Sequence, residues 1–423
     1  MTMGVGLKYI SLQLVAVMRQ NIAKSAITHY RRRGAEVHRR LTEAGQRNMA
    51  SKAENGKEYE AIRDDVKEYY GKRLKSTADL KSNACVPSAK PIPVHIRNAL
   101  KEVHPDVIAR YYGCGLVVPE CLEDCRVLDL GSGTGRDCYM LSRLVGEKGH
   151  ITGIDMTDDQ LNVARKYIDY HTEKFGHKKA NVDFVQGYIE ALQEAGLKEG
   201  SFDIIISNCV VNLSPDKTKV LREAYRVLKD GGELYFSDVY SSSRLPEDIT
   251  SHKVLWGECL GGALWWEDLI SKAQEVGFST PRLVTAAIIT VDNPELEKLL
   301  EGYRFVSATY RLFKVPKCSS EEKSLVIYDG NITGSEKTLE FDAQHTFKVD
   351  EVMEVSAELA NILKCSRFAS EFTFQPTGGP GSPCCAKPQA VSSNPFKLVE
   401  QVGTATPSSN TGGCCSSQES CCK

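Results

Sequence analysis

Short apolar segments alternate with amphipathic segments between residues 125 and 241, and this alternation allows few folds. An alternation of strands and helices builds a parallel sheet that is covered by helices on both faces. We therefore predict an α/β domain over residues 121–316, with two later strands that add an antiparallel edge. The seven predicted strands lie in CRVLDLG, HITGID, NVDFVQG, FDIIISN, ELYFSDV, RLVTAAIITV and YRFVSATYRLFKV.

The segments on either side of this domain have different compositions. Residues 49–120 predict a helical cap, and residues 317–375 predict a small β-rich domain with strands in SLVIYDG, KTLEFDA and HTFKV. Residues 376–423 are rich in Gly, Pro, Ser and Cys, which predicts a disordered tail. Residues 1–48 predict a disordered extension, although their arginine-rich, acid-poor composition is also that of a mitochondrial transit segment.

Charge and cysteine content exclude several classes of protein. A net charge of −2 gives no general attraction to nucleic acid or to an anionic membrane. No apolar run reaches the roughly 18 residues of a membrane span. The 15 cysteines are an odd number in a long chain, which argues against a disulfide framework and for reduced, intracellular thiols. We therefore predict a cytoplasmic protein, with mitochondrial targeting as the alternative.

The strongest local motif is VLDLGSGTGRD, a strand followed by a glycine-rich turn and a helix start. Glycines 131, 133 and 135 let the backbone turn tightly and let a ligand approach the main chain. The dinucleotide fingerprint requires a glycine where Arg136 stands. Asp129 would oppose a pyrophosphate, whereas it suits the ammonium group of S-adenosylmethionine, which carries no phosphate. The loop therefore favours S-adenosylmethionine over NAD.

The next two strands add to this predicted cofactor site. Asp155 ends the second strand, where a carboxylate suits the hydroxyl groups of a ribose. The segment GYIEAL follows the third strand, and Ile189 is expected to pack on the adenine ring. The predicted cofactor-binding residues are Tyr112, Asp129, Gly131, Ser132, Gly133, Gly135, Asp155, Met156, Ile189, Glu190 and Asn208.

Four cysteines lie in surroundings that are unusual for core residues. Cys209 follows the fourth predicted strand, where ligands bind in such sheets, although a free cysteine is more often a small core residue. Cys259 lies in LWGECLGGALWW, Cys114 lies between glycines, and Cys85 lies in a polar loop. Ser214 is expected to cap the helix after Cys209, which would fix the loop between them.

With these segments taken together, the chain resembles the animal arsenite methyltransferases from about residue 49 onwards. The resemblance is carried by YYGCGLVVPE, LDLGSGTGRDCY, SNCVVNL, LKDGGELYFSDVY and HKVLWGECLGGALWW. It implies a class I methyltransferase fold, which is a Rossmann-like seven-stranded sheet. It also implies transfer of methyl groups from S-adenosylmethionine to trivalent arsenic, giving mono- and dimethylated products.

The resemblance places four functional cysteines at Cys85, Cys114, Cys209 and Cys259. Trivalent arsenic is soft and binds soft thiolates. We expect Cys209 and Cys259 to form a permanent pair, with Cys114 as the third arsenic ligand and Cys85 exchanging with Cys114. Arsenite or its glutathione complex is the expected substrate of a monomer. Thioredoxin or glutathione is the expected reductant.

Three other functions stay open on the sequence alone. A methyltransferase for an oxygen or carbon nucleophile would need a base near the methyl group, and no such base stands out. A thiol-rich sequestering protein would use the adjacent cysteine pairs of the tail. An NAD oxidoreductase would bind nicotinamide.

Overall fold

The computed structural model describes residues 57–70, 92–110, 115–291, 293–316, 323–376 and 393–404. The chain divides into two compact units, residues 1–62 and residues 63–423. The described residues of the first unit, 57–62, are helical, and the second unit begins with the helical segment 63–70. Within the described residues, no helix is long and apolar enough to cross a membrane.

The second unit is built on one mixed sheet with the strand order β3-β2-β1-β4-β5-β8-β7. Strands β1 to β5 run parallel, and β8 runs antiparallel between β5 and β7. A short strand β6 pairs with the end of β5. The predicted class I methyltransferase fold is therefore confirmed. The strands are β1 Arg126–Leu130, β2 His150–Asp155, β3 Val182–Gln186, β4 Phe202–Asn208, β5 Leu228–Ser241, β6 Leu264–Trp265, β7 Arg282–Ile288 and β8 Phe305–Phe313.

Helices cover this sheet because each presents apolar residues along one side. The helix after β4 buries Val220, Leu221, Ala224 and Val227, a spacing that keeps them on one face. The helices up to β8 are α1 Val94–Lys101, α2 Pro105–Ile108, α3 Arg136–Val145, α4 Asp158–Lys166, α5 Ile168–Lys174, α6 Lys217–Val227, α7 Glu247–Thr250, α8 Lys253–Gly257, α9 Trp266–Val276 and α10 Pro294–Leu299.

Residues 323–376 form the small β-rich region that the sequence predicts. Its apolar core contains Tyr328, Phe341, Phe347 and Phe368, and Phe313 of the main sheet joins it. Two of its strands, β12 and β13, were not predicted. The sequence of β12, VMEV, does not alternate, whereas the alternating FTFQ of β13 could have indicated a strand. Its elements are β9 Ser324–Tyr328, β10 Thr338–Glu340, β11 Thr346–Lys348, β12 Val352–Val355, α11 Ala357–Cys365 and β13 Phe372–Pro376.

A buried network of charges joins the β-rich region to the main sheet. Glu233 of β5 is fully buried between the guanidinium groups of Arg311 and Arg367, each 2.6 Å from a carboxylate oxygen. Arg311 also donates to the backbone carbonyl of Phe341 at 2.6 Å. These contacts compensate the buried charges, so removal of one partner would leave the others unpaired at high cost.

The prediction of disorder for residues 376–423 is wrong for residues 393–404. Pro395–Thr404 forms a helix, α12, whose Phe396 is buried in the main core. The Asn394 side chain caps it by accepting from the backbone N–H of Phe396. The overall Gly, Pro and Ser content of the tail hid a short amphipathic segment, PFKLVEQV. Residues 377–392 and 405–423 lie outside the described residues.

Candidate active site

The glycine-rich loop after β1 forms one wall of a cleft at the carboxyl ends of the parallel strands. Gly131, Gly133 and Gly135 all have positive φ values, of 72°, 54° and 84°. A Cβ atom on Gly131 would lie 2.5 Å from the Val210 side chain. The loop therefore needs glycine at position 131 for its backbone conformation and for close contact with the loop after β4.

Gly135 has a different role from its two neighbours in the motif. It does not line the cleft; it is the N-cap residue of α3. A Cβ atom at this position would lie 2.6 Å from the ring of Phe184 on β3. The third glycine therefore permits packing of the helix start against the sheet.

Asp155 at the end of β2 organises the same loop. Its carboxylate accepts hydrogen bonds from the backbone N–H of Gly133 at 3.0 Å and of Thr157 at 2.8 Å. Burial raises the pKa of Asp155, while these hydrogen bonds act in the opposite direction. Asp155 lines the cleft, so it both fixes the loop and faces the space where a ligand would lie.

Asp129 lies at the base of the cleft and is almost fully buried. Burial, followed by the neighbouring charge of Asp137, raises the pKa of Asp129 to about 8. The thiol of Cys138 donates to its carboxylate at 3.2 Å. Burial disfavours the ionised form of this carboxyl group, and a cationic group of a ligand would favour it. Asp129 therefore suits binding of a cation.

The cleft brings together most of the predicted cofactor residues. Tyr112 lies outside the described residues, and Gly135 lies away from the lining. The predicted residues that line the cleft are Asp129, Gly131, Ser132, Gly133, Asp155, Met156, Ile189, Glu190 and Asn208.

Several lining residues were not predicted. Arg63, Val66 and Tyr70 reach the cleft from the helical segment 63–70. Its amphipathic pattern indicates a helix, but no sequence pattern indicates what that helix covers. Gln160 lines the cleft from the first turn of α4, a helix that begins three residues after Asp155.

Glu190 holds the helical segment 63–70 against the cleft. One of its carboxylate oxygens accepts from the Arg63 guanidinium group at 2.6 and 2.8 Å. The other accepts from the Ser214 hydroxyl at 3.3 Å. Contrary to our prediction, Ser214 is not the N-cap of the next helix. Asp216 caps that helix by accepting from the backbone N–H of Lys219. The helix begins two residues later than expected, so the Ser214 hydroxyl is free to reach Glu190.

Cys209 and Cys259 occupy two loops that contact each other directly. The thiol of Cys259 donates to the backbone carbonyl of Cys209 at 3.2 Å. Both residues have positive φ values, 55° for Cys209 and 62° for Cys259. Such backbone conformations are rare outside glycine and cluster at functional sites. Cys209 also lines the cleft that contains Asp129 and the glycine-rich loop.

The paired glycines after Cys259 allow this contact between the loops. A Cβ atom on Gly262 would lie 2.0 Å from the backbone carbonyl oxygen of Asn212. The indole of Trp256 donates to the backbone carbonyl of Leu213 at 3.3 Å. The bulky aromatic and paired glycines of LWGECLGGALWW are therefore explained by docking against the loop that carries Cys209.

Asp238, at the carboxyl end of β5, fixes the Cys209 loop from the other side. Its buried carboxylate accepts from the backbone N–H of Asn212 at 2.9 Å and of Val239 at 2.8 Å. Burial raises the pKa of Asp238 to about 7, although these hydrogen bonds and the Lys217 ammonium group oppose the shift. The sequence did not predict this role of Asp238, because an acidic residue at the end of a strand can have many roles.

The other predicted thiol residues are only partly described. Cys85 and Cys114 lie outside the described residues. Cys209 is disulfide-bonded, whereas the other described cysteines, Cys121, Cys125, Cys138, Cys259 and Cys365, are not in a disulfide.

Cys121, Cys125 and Cys138 do not line the cleft. Burial raises the pKa of Cys121 to about 12 and that of Cys125 to about 11. Cys138 is buried in the core. Within the described part of the chain, no cluster of His, Cys, Asp and Glu could hold a metal ion.

Two buried polar atoms of the cleft are available to hydrogen-bond a ligand. The Ser132 hydroxyl and the Gln160 side-chain carbonyl are buried and have no hydrogen-bond partner among the described residues. Buried polar groups are nearly always paired, so these two atoms, with Asp129, fit a polar cationic ligand. S-adenosylmethionine has such a cationic amino acid portion.

Comparisons with known proteins agree with this geometry. Residues 122–277 match a family model described as a methyltransferase domain, and residues 321–422 match one described as an arsenite methyltransferase C-terminal domain. Arsenite methyltransferase from Homo sapiens is 57% identical over 85% of this chain and 98% of its own length. The Rattus norvegicus protein is 58% identical over the same shares.

A solved structure supports the same assignment. It is that of an arsenic(III) S-adenosylmethionine methyltransferase from Chlamydomonas reinhardtii, which is 45% identical to this chain. It matches with a TM-score of 0.65 over 69% of this chain and 98% of its own. The chain belongs to the arsenite methyltransferase family, and it is an S-adenosylmethionine-dependent methyltransferase.

Proposed function

We propose that this enzyme transfers methyl groups from S-adenosylmethionine to trivalent arsenic that is held by cysteine thiolates. The observation that carries the proposal is the position of Cys209. It lines the cofactor cleft, and its backbone carbonyl accepts from the thiol of Cys259. Cys209 thus borders the space where the methyl donor would bind, and Cys259 contacts Cys209.

The residues of the cleft suit S-adenosylmethionine in distinct ways. Asp129 would bind the ammonium group, and Asp155 would accept from the ribose hydroxyls. Ile189 lines the cleft and would pack on the adenine, and Ser132 and Gln160 offer unpaired polar atoms. When bound, the cofactor supplies an electrophilic methyl group on a sulfonium. The chain's task is to hold the nucleophile in line with that methyl group.

Arsenic needs soft ligands, and three thiolates can hold it with its lone pair directed away from the sulfurs. We assign these ligands to Cys114, Cys209 and Cys259. Arsenite would exchange its hydroxyl groups for thiolates, so each thiol proton leaves as part of a water molecule. No general base is required, because the arsenic lone pair carries no proton.

Cys209 is disulfide-bonded, and we propose that this disulfide opens and re-forms during turnover. A disulfide cannot bind arsenic, so turnover requires reduction. We propose thioredoxin or glutathione as the reductant, with Cys85 as the exchanging partner of Cys114. We further propose a cytoplasmic monomer that acts on arsenite or its glutathione complex and releases mono- and dimethylated arsenic.

The test is incubation with arsenite, S-adenosylmethionine and a thiol reductant, followed by separation of arsenic species. The parent chain should yield monomethylated and then dimethylated arsenic. Cys209→Ser and Cys259→Ser should each lose nearly all product, whereas Cys121→Ser, a free and remote thiol, should retain the parent rate. Parent-rate methylation by Cys209→Ser would refute the assignment of ligands.

A further inference from the structure

Tyr70 contacts both the cofactor cleft and the loop that carries Cys259. Its side chain lines the cofactor cleft. Its hydroxyl donates to the backbone carbonyl of Gly257 at 2.8 Å, and its oxygen lies 3.9 Å from the sulfur of Cys259.

The helical segment 63–70 is held firmly enough to fix the position of Tyr70. At one end Arg63 pairs with Glu190, and at the other the Tyr69 hydroxyl donates to the carboxylate of Glu258 at 2.6 Å. The ring of Tyr69 lies against Gly257, where an added Cβ atom would approach it to 3.0 Å. Tyr70 is therefore placed between the cofactor side and the Cys259 loop by contacts that do not involve its own hydroxyl.

The contacts of the Cys259 sulfur change when arsenic binds. In the free thiol, the S–H group donates to the carbonyl of Cys209 at 3.2 Å. Arsenite binding breaks the S–H bond and an As–O bond and forms an As–S bond, and the proton leaves with the hydroxide as water. No electrons are exchanged in this step. The hydrogen bond to Cys209 is then lost, since a thiolate sulfur has no proton to donate.

We propose that Tyr70 is the positioning residue for the arsenic-bound Cys259 sulfur. The phenol lies 3.9 Å from that sulfur and can donate a hydrogen bond to a thiolate. Rotation of its hydroxyl from Gly257 towards the sulfur would replace the lost contact and keep the sulfur directed at arsenic. This inference rests on the proposed function and adds the residue that orients one of its ligands.

The decisive variant is Tyr70→Phe, which removes the hydroxyl and retains the ring that lines the cleft. Loss of one hydrogen bond to a charged sulfur should weaken arsenite binding about 10-fold. The affinity for S-adenosylhomocysteine should stay within about twofold, because the ring is retained. Tyr328→Phe is the matched control, since it removes a hydroxyl that donates to the backbone carbonyl of Ser335 at 3.1 Å, in the β-rich region.

Arsenite binding can be followed by intrinsic tryptophan fluorescence, because all three tryptophans lie in the segment 256–266 next to Cys259. A phosphine reductant keeps the thiols reduced without competing for arsenite. A selective loss of arsenite affinity in Tyr70→Phe, with no such loss in Tyr328→Phe, supports the inference.

Two results would overturn it. One is an arsenite affinity in Tyr70→Phe within twofold of the parent. The other is an equal loss of arsenite and S-adenosylhomocysteine affinity, which would assign Tyr70 to general packing of the cleft. If the parent chain yields no methylated arsenic, the proposed function fails, and the arsenite affinities still decide the role of Tyr70.

Discussion

The charge of Asp129 should control cofactor binding, and its raised pKa makes that control measurable. With a pKa of about 8, the carboxyl group is mostly protonated in the free protein at neutral pH. A bound ammonium group favours the ionised form, so binding must release a proton. Because the folded-state pKa is raised, the binding-competent fraction grows as the pH rises towards 8.

The size of the effect follows from the pKa. Between about pH 6 and about pH 7.5 the ionised fraction of a group with a pKa near 8 rises about 20-fold. The affinity for S-adenosylhomocysteine, which retains the ammonium group, should rise by a similar factor. At neutral pH about 0.9 proton should be released per ligand bound, because about nine tenths of the carboxyl groups start protonated.

Isothermal titration calorimetry in two buffers of different ionisation enthalpy measures this proton release. Asp129→Asn should abolish the release and weaken binding by about 2 kcal/mol, or about 30-fold, at the upper end of the pH range. Asp203→Asn is the matched control, because Asp203 pairs with Lys229 at 2.7 Å and does not line the cleft. An affinity that does not change with pH in the parent, or proton release that persists in Asp129→Asn, would refute the reasoning.

Three further variants test other parts of the structure. Gly262→Ala, whose new Cβ atom would lie 2.0 Å from the Asn212 carbonyl, should reduce methylation at least about 10-fold by separating the cysteine loops. Gly149→Ala, which is comparably crowded but remote, should lower only the urea midpoint of unfolding, and equal activity losses would contradict this account. Phe396→Ala should cost about 3 kcal/mol in urea unfolding, because Phe396 is buried against the main core, and an unchanged midpoint would show that α12 does not stabilise the sheet.

The sequence predicted those features that depend on local pattern. The seven predicted strands of the main sheet and the glycine-rich loop are found, because alternation and glycine spacing reflect local backbone requirements. Cys209 and Cys259 were selected because each follows a sheet strand, and the carboxyl ends of neighbouring strands lie at one edge. Residues 395–404 were missed because average composition hid a helix of ten residues.

Features that depend on contacts between distant segments could not be predicted. Arg63 and Glu190 are 127 residues apart, and neither local sequence indicates the other. Tyr70 approaches Cys259 over 189 residues. The division of the chain at residues 48, 120 and 316 stays a prediction, as do the roles of Cys85 and Cys114.

The most direct test of the central claim is X-ray absorption at the arsenic edge, with arsenite bound to the reduced enzyme in the presence of S-adenosylhomocysteine. The account predicts three sulfur neighbours and no oxygen neighbour around arsenic in the parent chain. In Cys259→Ser, one sulfur should be lost and oxygen should appear in its place. An oxygen-only environment in the parent, or an unchanged three-sulfur environment in Cys209→Ser and Cys259→Ser, would contradict the claim that these two cysteines hold the substrate.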